Sequence, residues 1–585
     1  MIHYRILPVD PSAHLFEVSL TLPANAEHTE LWLPSWIPGS YMIRDFCRNL
    51  INVKAYSDAG ALDFEQTDKQ TFVVAPCSHS FTVNYQVYAW DLSVRTAHLD
   101  QTHGFFNGTS VFLAVKGSED KAVTLTIDLP EQYPHWKLAS SLTRVSGNKW
   151  GGGTFRADNF DELIDHPVEM GELDICEFSV LDTPHALVIN GKHKADIARI
   201  CADLAKICQY QIELFGGQAP FDSYLFLTTL VNQGFGGLEH RASTALICSR
   251  SDLIGFGQES SSGYTTFLSL CSHEYFHSWN VKRLKPAEFV PYQLQQESYT
   301  KQLWAYEGIT SYYDDWILYR CGLINAEAYL DLLAQTMTRV MRGSGRFKQT
   351  LRQSSFNAWT KFYKQDENAA NAIVSYYTKG AMFALLLDLA MIERSEGQVN
   401  LDTLLSTLYQ DFALQGLGTL DDSHQTVAEK LCGCSLADVF AYLDSCDDLP
   451  LAEALESVGV TLSMRSRTGE QDKGGRTQLM PIRVDSGMTV KAHPKGVQVV
   501  TVSQGEAAHL AGLAAGDVII ALDNEAADGQ LLQRLQHYPL DAALDIHWFR
   551  DELLMQGKLA IKKAPQTTVE LTLADVSKTR LWLRR

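Results

Sequence analysis

The feature that most limits the fold is a change of hydrophobic period along the chain. Across residues 1–180 apolar and polar side chains alternate, as in Leu15-Phe-Glu-Val-Ser-Leu-Thr-Leu22 and Phe81-Thr-Val-Asn-Tyr-Gln-Val-Tyr88, and Gly, Pro, Asn and Asp separate the runs. Period two marks half-buried strands, so an N-terminal β-sandwich is expected there. From about Ala195 the period lengthens. Ile197, Ile200, Cys201, Leu204, Ile207 and Cys208 form the stripe of an amphipathic helix, and 264–279, 304–319, 381–392 and 436–443 also look helical. With a short β portion at Tyr224–Leu230, residues 181–460 form a mainly α second domain. The 585 residues exceed what one core can serve, since single cores stop growing at about 250–300 residues. The fold class is therefore multidomain α+β.

Residues 465–476 are polar and glycine-rich with neither period, as in a linker or long loop. They open a third region, 461–585. Its Val497–Val502 run and the stretch Ala507-Ala-His-Leu-Ala-Gly-Leu-Ala-Ala-Gly-Asp-Val-Ile-Ile-Ala-Leu-Asp-Asn524 predict a strand, a short helix closed by glycine, and a second strand. This segment resembles a PDZ domain of the kind attached to bacterial proteases. The resemblance implies capture of a peptide or a protein C-terminus by strand addition. If that domain only recruits substrates, removing residues from about 480 onward would leave turnover of small substrates intact.

A formal charge of −20 repels phosphate backbones and anionic bilayers, so neither nucleic acid nor a membrane is expected as a partner. Met1-Ile-His-Tyr-Arg5 does not begin an apolar leader, and no run reaches the roughly 18 apolar residues of a membrane span. A cytoplasmic protein is expected. Eleven scattered cysteines fit reduced thiols, because the close pair Cys432 and Cys434 has no second pair to complete a metal site.

The chemistry is concentrated in His273-Glu274-Tyr275-Phe276-His277, within a helical run. Residues four apart share a helix face, so both imidazoles can reach one ion. Glu274, one step round, can reach a water on that ion without ligating it. A zinc ion with three protein ligands keeps a fourth position open for water and substrate. Glu307 lies on the next helical stretch; taken alone, it reads better as a solvated helix carboxylate than as a ligand. Asp314, seven residues on, shares its face and could fix a ligand histidine in the right tautomer.

The runs His273-Glu-Tyr-Phe-His-Ser-Trp-Asn-Val-Lys-Arg-Leu-Lys-Pro286 and Tyr306-Glu-Gly-Ile-Thr-Ser-Tyr-Tyr-Asp-Asp315 resemble the glycyl aminopeptidase family of gluzincin metallopeptidases. The opening β domain carries that family's Trp-x-Pro-Gly-Ser-Tyr motif at Trp36 to Tyr41, a run that on its own fits either a structured loop or a substrate-facing surface. The resemblance implies a thermolysin-like catalytic domain holding one zinc per chain on His273, His277 and Glu307. Gln296 stands where better-studied relatives place their third ligand and cannot serve, and Glu307, not Glu297, has the Glu-Gly context.

Gly236-Gly237-Leu238-Glu239-His240 is similar to the Gly-Ala-Met-Glu-Asn loop of gluzincin aminopeptidases, which makes Glu239 the partner of a substrate's free α-amine. Physically, a glycine pair on an edge strand lets a peptide backbone approach closely. Tyr376-Tyr377-Thr378-Lys379-Gly380 resembles the family's Tyr-Glu-Lys-Gly segment and assigns the oxyanion hydroxyl to Tyr377. The reaction expected is hydrolysis of small N-terminal residues, such as glycine, from peptides with a free N-terminus, with Glu274 as general base. The alternatives are a PDZ-assisted zinc endopeptidase, or a PDZ binding module with a structural zinc site.

Overall fold

The computed structural model of the chain describes residues 2–583 and divides it into two compact units. The first contains Met1–Ser298 and Leu408–Leu420, the second Tyr299–Thr407 and Asp421–Arg585. No helix among the described residues is long and apolar enough to cross a membrane.

The first unit opens with a β-rich domain. In its eight-stranded sheet β1 (Ile2–Asp10) pairs antiparallel with β2 (Leu15–Leu22), which pairs with β3 (Phe81–Tyr88). Period two has its expected consequence: Phe16, Val18, Leu20 and Leu22 of β2 are buried and the residues between them are half-exposed. A hairpin of β4 (Ala97–Leu99) and β5 (His103–Phe106) belongs to a four-stranded sheet, and the Phe16 ring packs edge-on against Phe106 at 5.6 Å. Parallel to β1 runs β6 (Val123–Ile127), on its other side from β2.

A five-stranded sheet follows. Its β7 (Leu173–Val180) and β8 (Thr183–Asn190) lead into helix α1 (Ile197–Leu214), and β9 (Tyr224–Val231), β10 (Phe235–Glu239) and β11 (Ser243–Ser249) complete the order β7-β8-β9-β11-β10. The strand β10 therefore lies at an edge. The helix α2 (Ser262–Phe276) starts where Ser261 accepts the Tyr264 amide at 3.1 Å. Most of its surface is buried, through Tyr264, Phe267, Leu268, Cys271, Tyr275 and Phe276, as expected of a core helix.

In the second unit the expected helix at 304–319 begins as a π-helical turn, Trp304–Gly308, before α3 (Ile309–Arg320). The helices α4 (Ala326–Arg342) and α5 (Thr378–Arg394) pack beside it. Next come β12 (Val460–Arg465), β13 (Met488–His493), β14 (Gly496–Val502), α6 (Ala507–Leu510) and β15 (Val518–Leu522), the strand, helix and strand expected from the sequence lying within the last four. A short α7 (Leu531–Arg534) and the strand β16 (Thr568–Leu573) follow. The glycine-rich stretch after β12 is a pinned loop. Asp472 accepts from Arg465 at 2.5 Å and from the Thr468 and Gly474 amides, while Arg476 pairs with Asp331 of α4 at 2.8 Å.

The end of the chain changes the expectation for truncation. The strand β16 pairs antiparallel with β12, and the Val569 amide donates to Thr338 of α4. Beyond it Trp582, 1% exposed, stacks on Trp316 at 5.5 Å and donates through Nε1 to the Tyr312 hydroxyl, both on α3. Tyr312 donates in turn to Asp388 of α5 at 2.7 Å, and burial pushes the Asp388 carboxyl up to about 6. Cutting at about residue 480 would remove β16 and Trp582 together and open this core. The far end is part of the helical region's packing, a role its sequence does not advertise.

Replacing Trp582 by Ala removes a buried indole and one hydrogen bond, and is expected to destabilise the protein by about 3–5 kcal/mol. Leu581→Ala, at a position 51% exposed, should stay within about 0.5 kcal/mol of the parent. Urea denaturation of both variants checks this; equal effects would contradict the packing role.

Candidate metal and substrate site

The site in the first unit grows from the end of α2. His273 lies in its last turn and His277 caps it. One turn apart, the two imidazoles point the same way: their Nε2 atoms are 3.0 Å apart and their rings meet at 86°. His277 Nδ1 is 2.7 Å from the Asn280 carbonyl, which can only accept, so Nδ1 carries the proton and Nε2 presents a lone pair. For this histidine the orienting group is a carbonyl of its own loop. An unprotonated Nε2 on His277, turned toward Nε2 of His273, suits a metal ion such as zinc.

Glu274, 5% exposed, lies against the edge strand β10. A Cβ at Gly237 would overlap the Glu274 carboxylate, so only glycine lets strand and carboxylate approach this closely. Gly236 differs: a Cβ there would meet open space. At the end of β10, Glu239 is 4% exposed. Glu239, Glu274 and His277 each offer an atom within 4.8 Å of the others, bringing two carboxylates and one imidazole into a single cluster.

The Trp36 to Tyr41 run proves to be both a structured loop and a wall of this site. Trp36 is buried and donates through Nε1 to the Gln293 and Gln296 carbonyls at 3.0 and 2.9 Å. Gly39, in the left-handed region at φ +94°, lies where any side chain would overlap the Glu239 carboxylate.

Behind Glu239 is a charged network that the motifs did not reveal. Asp165 contacts Lys282 Nζ at 2.8 Å, Arg241 Nε at 3.0 Å and His240 Nδ1 at 3.1 Å. Burial alone would raise the Asp165 carboxyl, yet Lys282, His240 and Arg241 together hold it well below the usual carboxylate range. Lys285 is half-buried nearby, its Nζ 4.5 Å from the centre of the Tyr292 ring, and desolvation pushes it down to about 7. The signal available in sequence was Lys282-Arg283 next to the histidine motif, but nothing there named Asp165 as the partner.

The remaining expected residues belong to the second unit. Glu307, 1% exposed, sits on the π-helical turn, and Gly308 packs against Gly380 at the start of α5. Tyr376 and Tyr377 lie together, their rings 4.7 Å apart. After burial, the charge of Glu307 is among the causes that raise both hydroxyls well above their ordinary value. Tyr376 is fully buried and Tyr377 is half-buried. Asp314 is half-buried on α3 and accepts the Asp315 amide at 2.6 Å.

Comparison with known proteins places this geometry among peptidases. Residues 3–172 match the peptidase M61 N-terminal domain and residues 266–383 the M61 glycyl aminopeptidase domain. The crystal structure of an aminopeptidase N family protein from Idiomarina loihiensis is 46% identical, and the match covers 100% of both chains with a TM-score of 0.97. An M1 zinc metallopeptidase from Deinococcus radiodurans shares the fold at 14% identity, with 77% of this chain and 94% of that one covered and a TM-score of 0.50. No curated protein matches the chain.

The Asp165 network yields a prediction about stability. Asp165→Asn leaves the buried Lys282 ammonium without its carboxylate, and breaking such a pair costs about 3–5 kcal/mol. Because the folded pKa is depressed, the carboxylate's contribution is present above the unfolded value of about 3.9 and is lost as the pH falls further. The gap in urea stability between parent and variant should therefore hold from pH 7 to 5 and close below about pH 4. A gap that already closes between pH 7 and 5 would contradict the assignment.

Proposed function

Because the chain belongs to the aminopeptidase N family and carries both M61 peptidase domains in order, we propose that it is a zinc aminopeptidase that removes small N-terminal residues, such as glycine, from peptides. The observation that carries this reading is the Glu239, Glu274 and His277 cluster, which sets a carboxylate for an ammonium, a general base and a metal-ligating imidazole within reach of one substrate.

His273 and His277 would hold one zinc per chain through Nε2, with Glu307 as third ligand on the strength of its Glu-Gly motif. Bound there, zinc would supply a Lewis acid that polarises the scissile carbonyl and lowers the pKa of the attacking water to about 7. Glu274 takes the water's proton and passes it to the leaving amine. The free edge of β10 pairs with the substrate backbone, and Gly236, facing open space, leaves room for it. Glu239 accepts hydrogen bonds from the α-ammonium, which fixes the cut one residue from the N-terminus. The Gly39 wall against Glu239 is consistent with a small first residue. Tyr377 is the oxyanion donor in this reading, from its place in the Tyr-Thr-Lys-Gly segment, and it is the less buried residue of the tyrosine pair. Asp314 is left with a supporting role on the helix after Glu307.

We also propose that 461–585 carries a PDZ-like peptide site. The strand β13 is an edge of its sheet, and beside it a cavity of about 290 Å³ is lined by Val490, Leu532 and Leu535. An extended segment adding to β13 would lie over it.

The test is kcat/KM for one short peptide with a free and with an acetylated N-terminus, with zinc content measured alongside. The parent should strongly prefer the free form. Glu239→Ala should lose about thirty-fold to several thousand-fold on the free peptide, the equivalent of about 2–5 kcal/mol, and narrow the preference. Glu274→Gln should keep its zinc and lose about 10²–10⁴-fold in kcat. Equal cleavage of both forms by the parent would overturn the aminopeptidase reading in favour of an endopeptidase.

A further inference from the structure

A second group of metal-ligating side chains lies outside this site, at the turn of the β4–β5 hairpin. His98, Asp100 and His103 follow one another within six residues. The ladder pairs His98 with Phe105 and leaves Asp100 to Thr102 as the turn, which brings the three side chains to one place. His98 Nε2 is 3.3 Å from Asp100 Oδ2, and His103 Nδ1 is 3.6 Å from Asp100 Oδ1. One ligand atom from each of the three lies within 4.8 Å of the others.

These separations are informative. A charge-assisted contact between an imidazole and a carboxylate closes to about 2.7–2.9 Å. The His98 and His103 contacts stop short of that. The His98 contact, to Oδ2, is instead close to the edge of a zinc tetrahedron, about 3.3–3.4 Å for metal–ligand bonds of about 2.0–2.1 Å. The turn also holds Asp100 in a ligating pose. Its Oδ1 accepts from the Thr102 amide and hydroxyl, both at 2.6 Å, and from the His103 amide at 3.1 Å, so Oδ2 is the oxygen left to bind. Thr102 Oγ1 is 3.2 Å from His103 Nδ1 as well.

Charge points the same way. Among the described residues the only ion-pair contacts of Asp100 are with these two histidines; no lysine or arginine answers it. Their far nitrogens, His98 Nδ1 and His103 Nε2, are buried. The rings are also packed: His98 stacks with Trp90 at 4.9 Å and with His103 at 4.7 Å, and His14 stacks with Trp90 at 3.9 Å.

We propose that His98 Nε2, Asp100 Oδ2 and His103 Nδ1 form a second zinc site, separate from the His273 and His277 pair. Two imidazoles and a carboxylate suit zinc over magnesium or calcium, which prefer all-oxygen sets. Asp100 keeps 21% of its side chain exposed, so water can complete the coordination.

The experiment is zinc content of the full chain after dialysis against a fixed free-zinc buffer, for the parent, for His98→Asn with His103→Asn, and for Asp100→Asn. Asparagine at 100 keeps an oxygen to accept the turn amides, which guards against loss of the hairpin. The parent should hold one zinc more per chain than the double variant, and Asp100→Asn should weaken that zinc by at least about tenfold. Added zinc should raise the thermal midpoint of the parent more than that of either variant. Equal zinc content and equal midpoint shifts in all three proteins would overturn the proposal. A failure of the His273 and His277 assignment would show separately, as unchanged zinc in a variant of that pair.

Discussion

The account rests on one hydrogen bond, from His277 Nδ1 to the Asn280 carbonyl. It fixes which nitrogen of the ring keeps its proton, and so which one faces His273. The helix supplies the other constraint, since a four-residue step on α2 returns the side chain to the same face. Both depend on burial: α2 is packed almost all round, so its last turn cannot fray without opening the core. The approach of β10 follows from the same packing, and at Gly237 it is possible because there is no side chain between strand and Glu274.

Much of this was legible where one physical rule decides. Period two in Leu15–Leu22 and Phe81–Tyr88 gave strands with those bounds, because alternation has no other regular solution at that length. The helix at 264–279 was read three residues long at its C-terminal end, since the chain turns at His277 and no Gly or Pro announces the stop. The stretch at 304–319 was read as one helix, and its first turn is π-helical; side-chain period does not separate a π turn from an α turn over five residues. The i, i+4 imidazole pair was legible for the same reason as the helix that carries it.

What sequence did not show depends on contacts between distant segments. Asp165 meets residues 240, 241 and 282, and no local pattern ties them together. Trp582 looks like an aromatic in a charged tail, yet it completes a core formed by α3 and α5 through Tyr312 and Asp388. The loop after β12 has the composition of a flexible linker, and the charged members of that composition, Arg465, Asp472 and Arg476, are what pin it. The hairpin histidines went unremarked because their spacing, unlike that of a helix motif, converges only once the strands have paired.

The central claim is that the paired imidazoles at the end of α2 are a zinc site. The most direct measurement is anomalous diffraction from zinc-loaded crystals, recorded on both sides of the zinc absorption edge. The account predicts a peak bonded to Nε2 of His273 and of His277 at about 2.0–2.1 Å from each. Zinc bound to the protein with no peak at that pair would contradict it.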